Sequence, residues 1–328
     1  MMAERGLYKF GGVLFVALLM IAAVAYATGG GRSTIEAAPA DVPEPRAAEA
    51  LTKPVPSAPE LADATCRPDG GPRPLDDDLR ESSGVAVSAA HPGIFWTHED
   101  SGDPLLYAVD MEGRTVGRVR IAGAALEDWE DVARGPCPAG GDCLFIGDIG
   151  DNEARRPFVT VYRVPEPSPR SGQSAPAEAI RLRYPDGAHD AEALFVLNGA
   201  IHVVTKGESG PIAVYRAPAS AAPGAETVLE RVRVLSPERV DRPMRITGAD
   251  ASPDGRWIAL RTLESAEIHR AESLTGSGAL SPIRIDLRAL EERQGEGIGF
   301  APDGSVVLTS EGTKKKPATF ARLTCVLP

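Results

Sequence analysis

From residue 81 onward, apolar residues come in short runs bounded by glycine, proline or charged residues, as in Gly84-Val85-Ala86-Val87, Leu144-Phe145-Ile146 and Ile201-His202-Val203-Val204. Runs of this length, rich in β-branched and aromatic residues, predict buried β-strands. The Pro-Asp-Gly triplets at 253–255 and 302–304 are strong turn signals between such runs. Long continuous helices are not expected.

The runs repeat in units. A first strand opens on polar residues at Glu81-Ser82-Ser83, Asp128-Trp129-Glu130, Asp190-Ala191-Glu192, Gly248-Ala249-Asp250 and Gln294-Gly295-Glu296. A second strand ends on polar residues, including His98, Asp148, Lys206, Arg261 and Glu311. A third strand follows in every unit, and four units carry a fourth. Units begin about 45 to 60 residues apart, the period of a four-stranded propeller blade. The fold class is therefore all-β: a β-propeller of five or six four-stranded blades, closed by N- and C-terminal strands. The last unit ends after its third strand, and the segment around Cys66 can supply the fourth. Ring closure also removes exposed sheet edges.

Upstream of the repeats the pattern changes. Arg5 and Lys9 precede an uncharged apolar run from Phe10 to Ala27 that ends in Ala25-Tyr26-Ala27, a small-x-small cleavage pattern. Residues 1–27 read as a signal peptide or a retained N-terminal membrane anchor, since the run is just long enough to span a bilayer. Residues 28–64 are rich in Ala, Pro and Glu and read as a disordered linker. Residues 65–328 form the propeller domain. Both readings of 1–27 make the chain exported, to the extracellular space or the cell surface, and membrane contact is expected only through that segment.

Of 328 residues, 35 are Lys or Arg and 46 are Asp or Glu, a net charge of −11 with no basic stripe, which argues against nucleic-acid binding. Four cysteines in an exported chain suggest disulfides. Three connectivities are open; Cys137 with Cys143 and Cys66 with Cys325 is the sensible pairing, the second joining the two ends of the domain.

In an antiparallel blade the start of the first strand and the end of the second lie at the same end. The recurring polar residues should therefore ring one mouth of the central channel. Glu81, Glu130, Asp148, Asp151, Glu192, Asp250 and Glu296 are candidate metal ligands, because hard oxygen donors in excess suit Ca²⁺, ahead of Mg²⁺. The Asp148-Ile149-Gly150-Asp151-Asn152 cluster is the most ligand-like locally, and a turn held by Asx side chains accounts for it equally well. Lys206 and Arg261 beside the carboxylates would suit a phosphate or carboxylate. With His98 and Glu130 as acid or base, these four are the candidate catalytic residues. A solvated polar channel lining is the competing account of the same pattern.

The segments ESSG at 81–84, THEDSGD at 97–103, DWEDVA at 128–133, GDIGDN at 147–152 and QGEG at 294–297 resemble secreted bacterial β-propellers of unassigned function. More distantly the chain is similar to phytase-like and SMP-30/NHL-type propellers, over about residues 81–325. That resemblance implies six blades, Ca²⁺ at the channel mouth on Glu81, Glu130, Asp148, Glu192 and Glu296, phosphate contact through Lys206 and Arg261, and hydrolysis of phosphoesters or lactones. Two functions are expected to compete. One is a metal-dependent phosphoester or ester hydrolase acting on a small anionic or ester substrate. The other is a non-catalytic propeller recognising a glycan, peptide or protein of the cell envelope. A monomer is expected in both.

Overall fold

The computed structural model describes residues 65–327; the leader and linker readings above lie outside them. Five antiparallel sheets are arranged around one axis, resolving the expected five or six blades to five. Blade I holds Ser82–Val87, Ile94–Glu99, Leu105–Asp110 and Thr115–Arg120, from channel to rim. Blade II holds Trp129–Pro136, Asp142–Asp148, Val159–Pro165 and Glu178–Arg183. Blade III holds Ala191–Leu197, Ala200–Thr205, Ile212–Arg216 and Glu230–Ser236. Blade IV holds Ile246–Ala251, Trp257–Thr262, Ser265–Arg270 and Ile283–Asp286.

Blade V is built from both ends of the domain. Gln294–Phe300, Val306–Glu311 and Thr319–Val326 come from the C-terminal end, and Thr65–Pro68 pairs antiparallel on the outside with Cys66 opposite Cys325. Those two cysteines are disulfide-bonded, as are Cys137 and Cys143. Two disulfides and no free cysteine suit an oxidising compartment. No helix among the described residues is long and apolar enough to cross a membrane.

Burial follows depth in each blade. The innermost strand of blade I is buried at every residue, whereas Thr115–Arg120 at the rim alternates buried and exposed. A strand covered on both faces must be apolar or small throughout; one with a solvated face needs apolar residues only at alternate positions. Between blades the cores are separate apolar clusters: Trp96, Trp129, Ile146 and Tyr162 fill the space between blades I and II. Two linker segments lace the ring further. Gly172–Gln173 of blade II runs parallel to the rim strand of blade I, and Glu226–Val228 of blade III does the same on blade II.

One irregularity recurs in all five blades and positions the site. Near the start of each innermost strand the register slips, between Ser82 and Val85, Trp129 and Asp131, Ala191 and Ala193, Ile246 and Gly248, and Gly295 and Ile298. A β-bulge of this kind re-aims the extra residue's side chain. The bulged positions include Ser83, Glu130, Glu192, Thr247 and Glu296, one per blade.

Candidate functional site: an acidic channel mouth

Because the bulge recurs, Glu130, Glu192 and Glu296 reach the channel mouth from blades II, III and V, and all three are buried. Ser83 and Thr247 occupy the corresponding places in blades I and IV; the Ser83 hydroxyl donates to the Glu130 carbonyl oxygen at 2.7 Å and the Thr247 hydroxyl to the Glu296 carbonyl oxygen at 3.1 Å. These bonds tie neighbouring blades at the mouth.

Lys206, just beyond the second strand of blade III, is the cation among the acids. Its ammonium contacts the Glu192 carboxylate and lies 3.7 Å from Asp190 and 3.6 Å from Glu208. Burial works against its charge, yet Glu192, Asp190 and Glu130 outweigh this and hold its pKa above the ordinary lysine value. Burial pushes Glu192 up to about 7 even with the ammonium beside it. Glu130 rises well above the glutamate range through burial, then the charges of Glu192 and Asp128. Glu296 rises likewise through burial, Glu192 and Glu311. At the rim, burial and the neighbouring Glu81 push Asp100 up to about 6.

Raised carboxylate pKa values fix the sign of a pH effect. A folded-state value above the unfolded one gives stability that is complete below the unfolded pKa and lost as pH rises through the folded pKa. Burial lowers His98 and His202 to about 4, while on the unfolded chain they titrate around the ordinary 6.5 and are nearly all neutral by about pH 7.5. Between about pH 7.5 and 8.5 the raised acids therefore outweigh these two histidines in the slope. The melting temperature, measured without divalent cations, is expected to fall across that window, and less steeply in Glu130→Gln. A flat or rising profile contradicts the crowding of buried acids.

Gly150 forms part of the floor. A Cβ there would meet both the Glu130 and Asp128 carboxylates, so a side chain is excluded where these acids lie over the backbone. Below the mouth, Asp131 closes the channel. One of its carboxylate oxygens accepts from the Val132 amide at 2.9 Å; the other accepts from Leu194 at 2.9 Å and Ala249 at 3.1 Å. One carboxylate thus binds inner strands of blades II, III and IV. Burial pushes its pKa well up, and these amides pull it back. Gly84 admits Asp131 from the blade I side, because a Cβ there would strike its carboxylate and the Val132 amide.

The remaining candidates do not join the three glutamates. Glu81 is exposed at the rim and accepts from the Ser101 hydroxyl at 3.2 Å. Asp148 is committed to the Glu127 and Asp128 amides and to Arg156 at 2.8 Å. Asp151 accepts from the Arg155 and Arg156 amides at 2.9 and 2.7 Å. Asp151 thus holds the turn that follows it with its side chain, whereas Asp148 reaches back to the loop before Trp129, and Arg156 is the partner that the sequence reading missed.

Asp250 is not the blade IV counterpart of Glu130; Thr247 is. Asp250 lies further down the strand and accepts from Ala251 and Phe300 amides at 2.9 and 2.8 Å, while burial pushes its pKa up to about 7. Arg261 is fully buried between blades IV and V. Its guanidinium donates to the carbonyls of Gly297 and Thr309 at 2.7 and 2.9 Å and pairs with Glu292. His98 is fully buried edge-on to Trp129, its Nδ1 3.1 Å from the Glu99 carbonyl oxygen. Neither side chain is paired with a mouth glutamate, and Arg261 acts on Glu296 only through its charge, which works against the rise that burial causes.

The donor chemistry at the mouth fits a hard cation: buried carboxylates from three blades, with Glu130 holding no hydrogen bond or ion pair through its side chain among the described residues. As arranged, no three acidic, His or Cys side chains among the described residues converge closely enough to hold a metal ion together. The ammonium of Lys206 takes the place beside Glu192 and Asp190.

No family model matches the chain, and no curated protein matches it. Among solved structures it is similar to the PQQ-bound aldose sugar dehydrogenase of Streptomyces coelicolor, at 10% identity and a TM-score of 0.50, covering 82% of this chain and 100% of that one. It is also similar to the calcium-binding protein regucalcin of Agrobacterium tumefaciens, at 13% identity and a TM-score of 0.43, covering 77% and 92%. A luciferin-regenerating enzyme matches at 12% identity and a TM-score of 0.41, covering 80% and 95%. Likeness at such identities is one of fold: the chain is a β-propeller.

Proposed function

We propose that the chain is a cation-binding propeller whose acidic channel mouth takes Ca²⁺ ahead of Mg²⁺. The observation that supports this reading is that Glu130, Glu192 and Glu296 are buried at one mouth, from three blades, with Lys206 the cation paired with one of them among the described residues. Carboxylates so crowded either hold protons or are neutralised by a cation. Oxygen donors of this kind select hard divalent ions.

A bound ion would supply positive charge to polarise an ester or phosphoester oxygen. In that hydrolase reading Glu130 is the group placed to take a proton from attacking water, and Lys206 the group to meet the substrate's negative charge. The alternative is recognition of an envelope glycan, peptide or protein through the same face. Exported location and a monomeric state belong to this proposal.

Calorimetric titration of CaCl₂ and MgCl₂ into protein stripped of divalent ions tests it. Wild type should bind, and Glu130→Gln combined with Glu296→Gln should weaken binding by about 100-fold, since each removed carboxylate contributes on the order of 1.4 kcal/mol. No binding heat from either ion in wild type would end the reading. Screening Ca²⁺-loaded protein against p-nitrophenyl esters and phosphates then separates hydrolysis from recognition.

A further inference from the structure

A cavity of about 330 Å³ opens between blades III and IV, and none of the mouth side chains lines it. Its lining is mainly apolar: buried Ile212, Ile246 and Leu260, part-buried Leu235 and Leu280, and Met244, which is 53% exposed. Two polar residues interrupt it. Glu267 and His269 lie two apart on strand Ser265–Arg270, hence on one face of it. The other face carries Ala266 and Ile268 into the core shared with blade V.

His269 is 3% exposed. Its Nε2 lies 3.1 Å from Glu267 Oε2, and Arg284 Nε donates to Glu267 Oε1 at 2.9 Å. The carboxyl of Glu267 is held below the ordinary glutamate range, first by the His269 hydrogen bond. An ionised carboxylate only accepts, so Nε2 carries the proton, and in the neutral ring Nδ1 is left as a lone-pair acceptor. That atom is buried and without a hydrogen-bond partner among the described residues. A buried acceptor left unpaired is costly, and a donor brought to it recovers that cost.

We propose that the cavity between blades III and IV binds a small, uncharged, mainly apolar molecule whose hydroxyl donates to Nδ1 of His269: an alkyl alcohol or a phenol. The apolar lining takes the hydrocarbon body. The space equals that of about ten water molecules, which limits the body to about that many non-hydrogen atoms. A charged ligand fits less well. Both Glu267 oxygens are already engaged, so a cation finds no free carboxylate there, and an anion would meet the charge of Glu267. The site is independent of the cation-binding reading.

Calorimetric titration at pH 8 with 4-butylphenol, and with its methyl ether, which lacks the donor, tests this. Full-length wild type should bind the phenol, and the ether at least about 10-fold more weakly, because the ether leaves Nδ1 unpaired. His269→Phe keeps a ring and removes the acceptor, so it should bind the two probes within about 3-fold of one another. No binding of the phenol, equal affinity of wild type for phenol and ether, or a preference that survives in His269→Phe overturns the proposal. Should His269→Phe fail to fold, wild type labelled at its methionine methyls gives the location. The phenol should shift the Met244 resonance and leave that of Met111, outside the cavity, in place. A Met244 resonance that moves no more than that of Met111 overturns the proposal.

Discussion

Asp131→Asn is expected to destabilise the protein by about 3 kcal/mol, an amount associated with buried polar groups left unsatisfied. The substitution keeps shape and volume, so packing is held constant and the hydrogen bonds of the carboxylate are what change. Both carboxylate oxygens of Asp131 receive only N–H donors, from Val132 on one side and from Leu194 and Ala249 on the other. An asparagine in either flip turns its own NH₂ toward at least one of those donors. Blades II, III and IV then lose a common acceptor near the axis, where no water-exposed surface can substitute. Urea denaturation followed by the fluorescence of buried Trp96, Trp129 and Trp257 measures the loss. A change under about 1 kcal/mol would show that Asp131 fills the channel without holding it.

Opening the terminal disulfide should cost more. Cys66 and Cys325 are 259 residues apart, whereas Cys137 and Cys143 are separated by 6. In the chain-entropy account, a cross-link stabilises by restricting the unfolded chain, and more so for a longer loop. The Cys66→Ser, Cys325→Ser pair is expected to lose about 5 kcal/mol, and the Cys137→Ser, Cys143→Ser pair about 2 kcal/mol. The first pair also frees strand Thr65–Pro68 to leave blade V, which exposes the edge of Thr319–Val326. Urea midpoints of the two double variants, each against wild type, decide the matter. Equal losses would mean that strand pairing, and not the covalent bond, closes the ring.

The architecture was legible because it repeats. Polar openings at Glu81, Asp128, Asp190 and Gln294 recur before apolar runs, and terminal closure follows from a last unit one strand short with a cysteine at each end of the domain. What escaped was register. Matching acid to acid puts Asp250 beside Glu130, but the bulge adds a residue to each inner strand, so the blade IV counterpart is Thr247, two residues past Arg245 and without charge. Bulges leave no clear trace in composition. Likewise, pairing antiparallel strands aims the second-strand ends at the mouth. His98 and Arg261 instead lie opposite the bulges, with their side chains turned between blades. Lys206 lies one residue beyond its strand, where alternation no longer governs direction, and it does reach the acids. Asp131 was missed because it follows Glu130 directly and alternation would place it on the opposite face.

The Cys66–Cys325 bond has a mechanical consequence. Any pull arriving from the chain upstream of Thr65 meets an outermost strand that is hydrogen-bonded antiparallel along Leu323–Val326 and covalently clasped at its second residue. Force is therefore handed to the last strand of the chain almost at the point of entry, before it can peel Thr65–Pro68 away or reach Arg73, Leu75 and the inner strands. The acidic mouth, built from bulges on the innermost strands, lies on the far side of that clasp and is shielded from tension entering at Thr65.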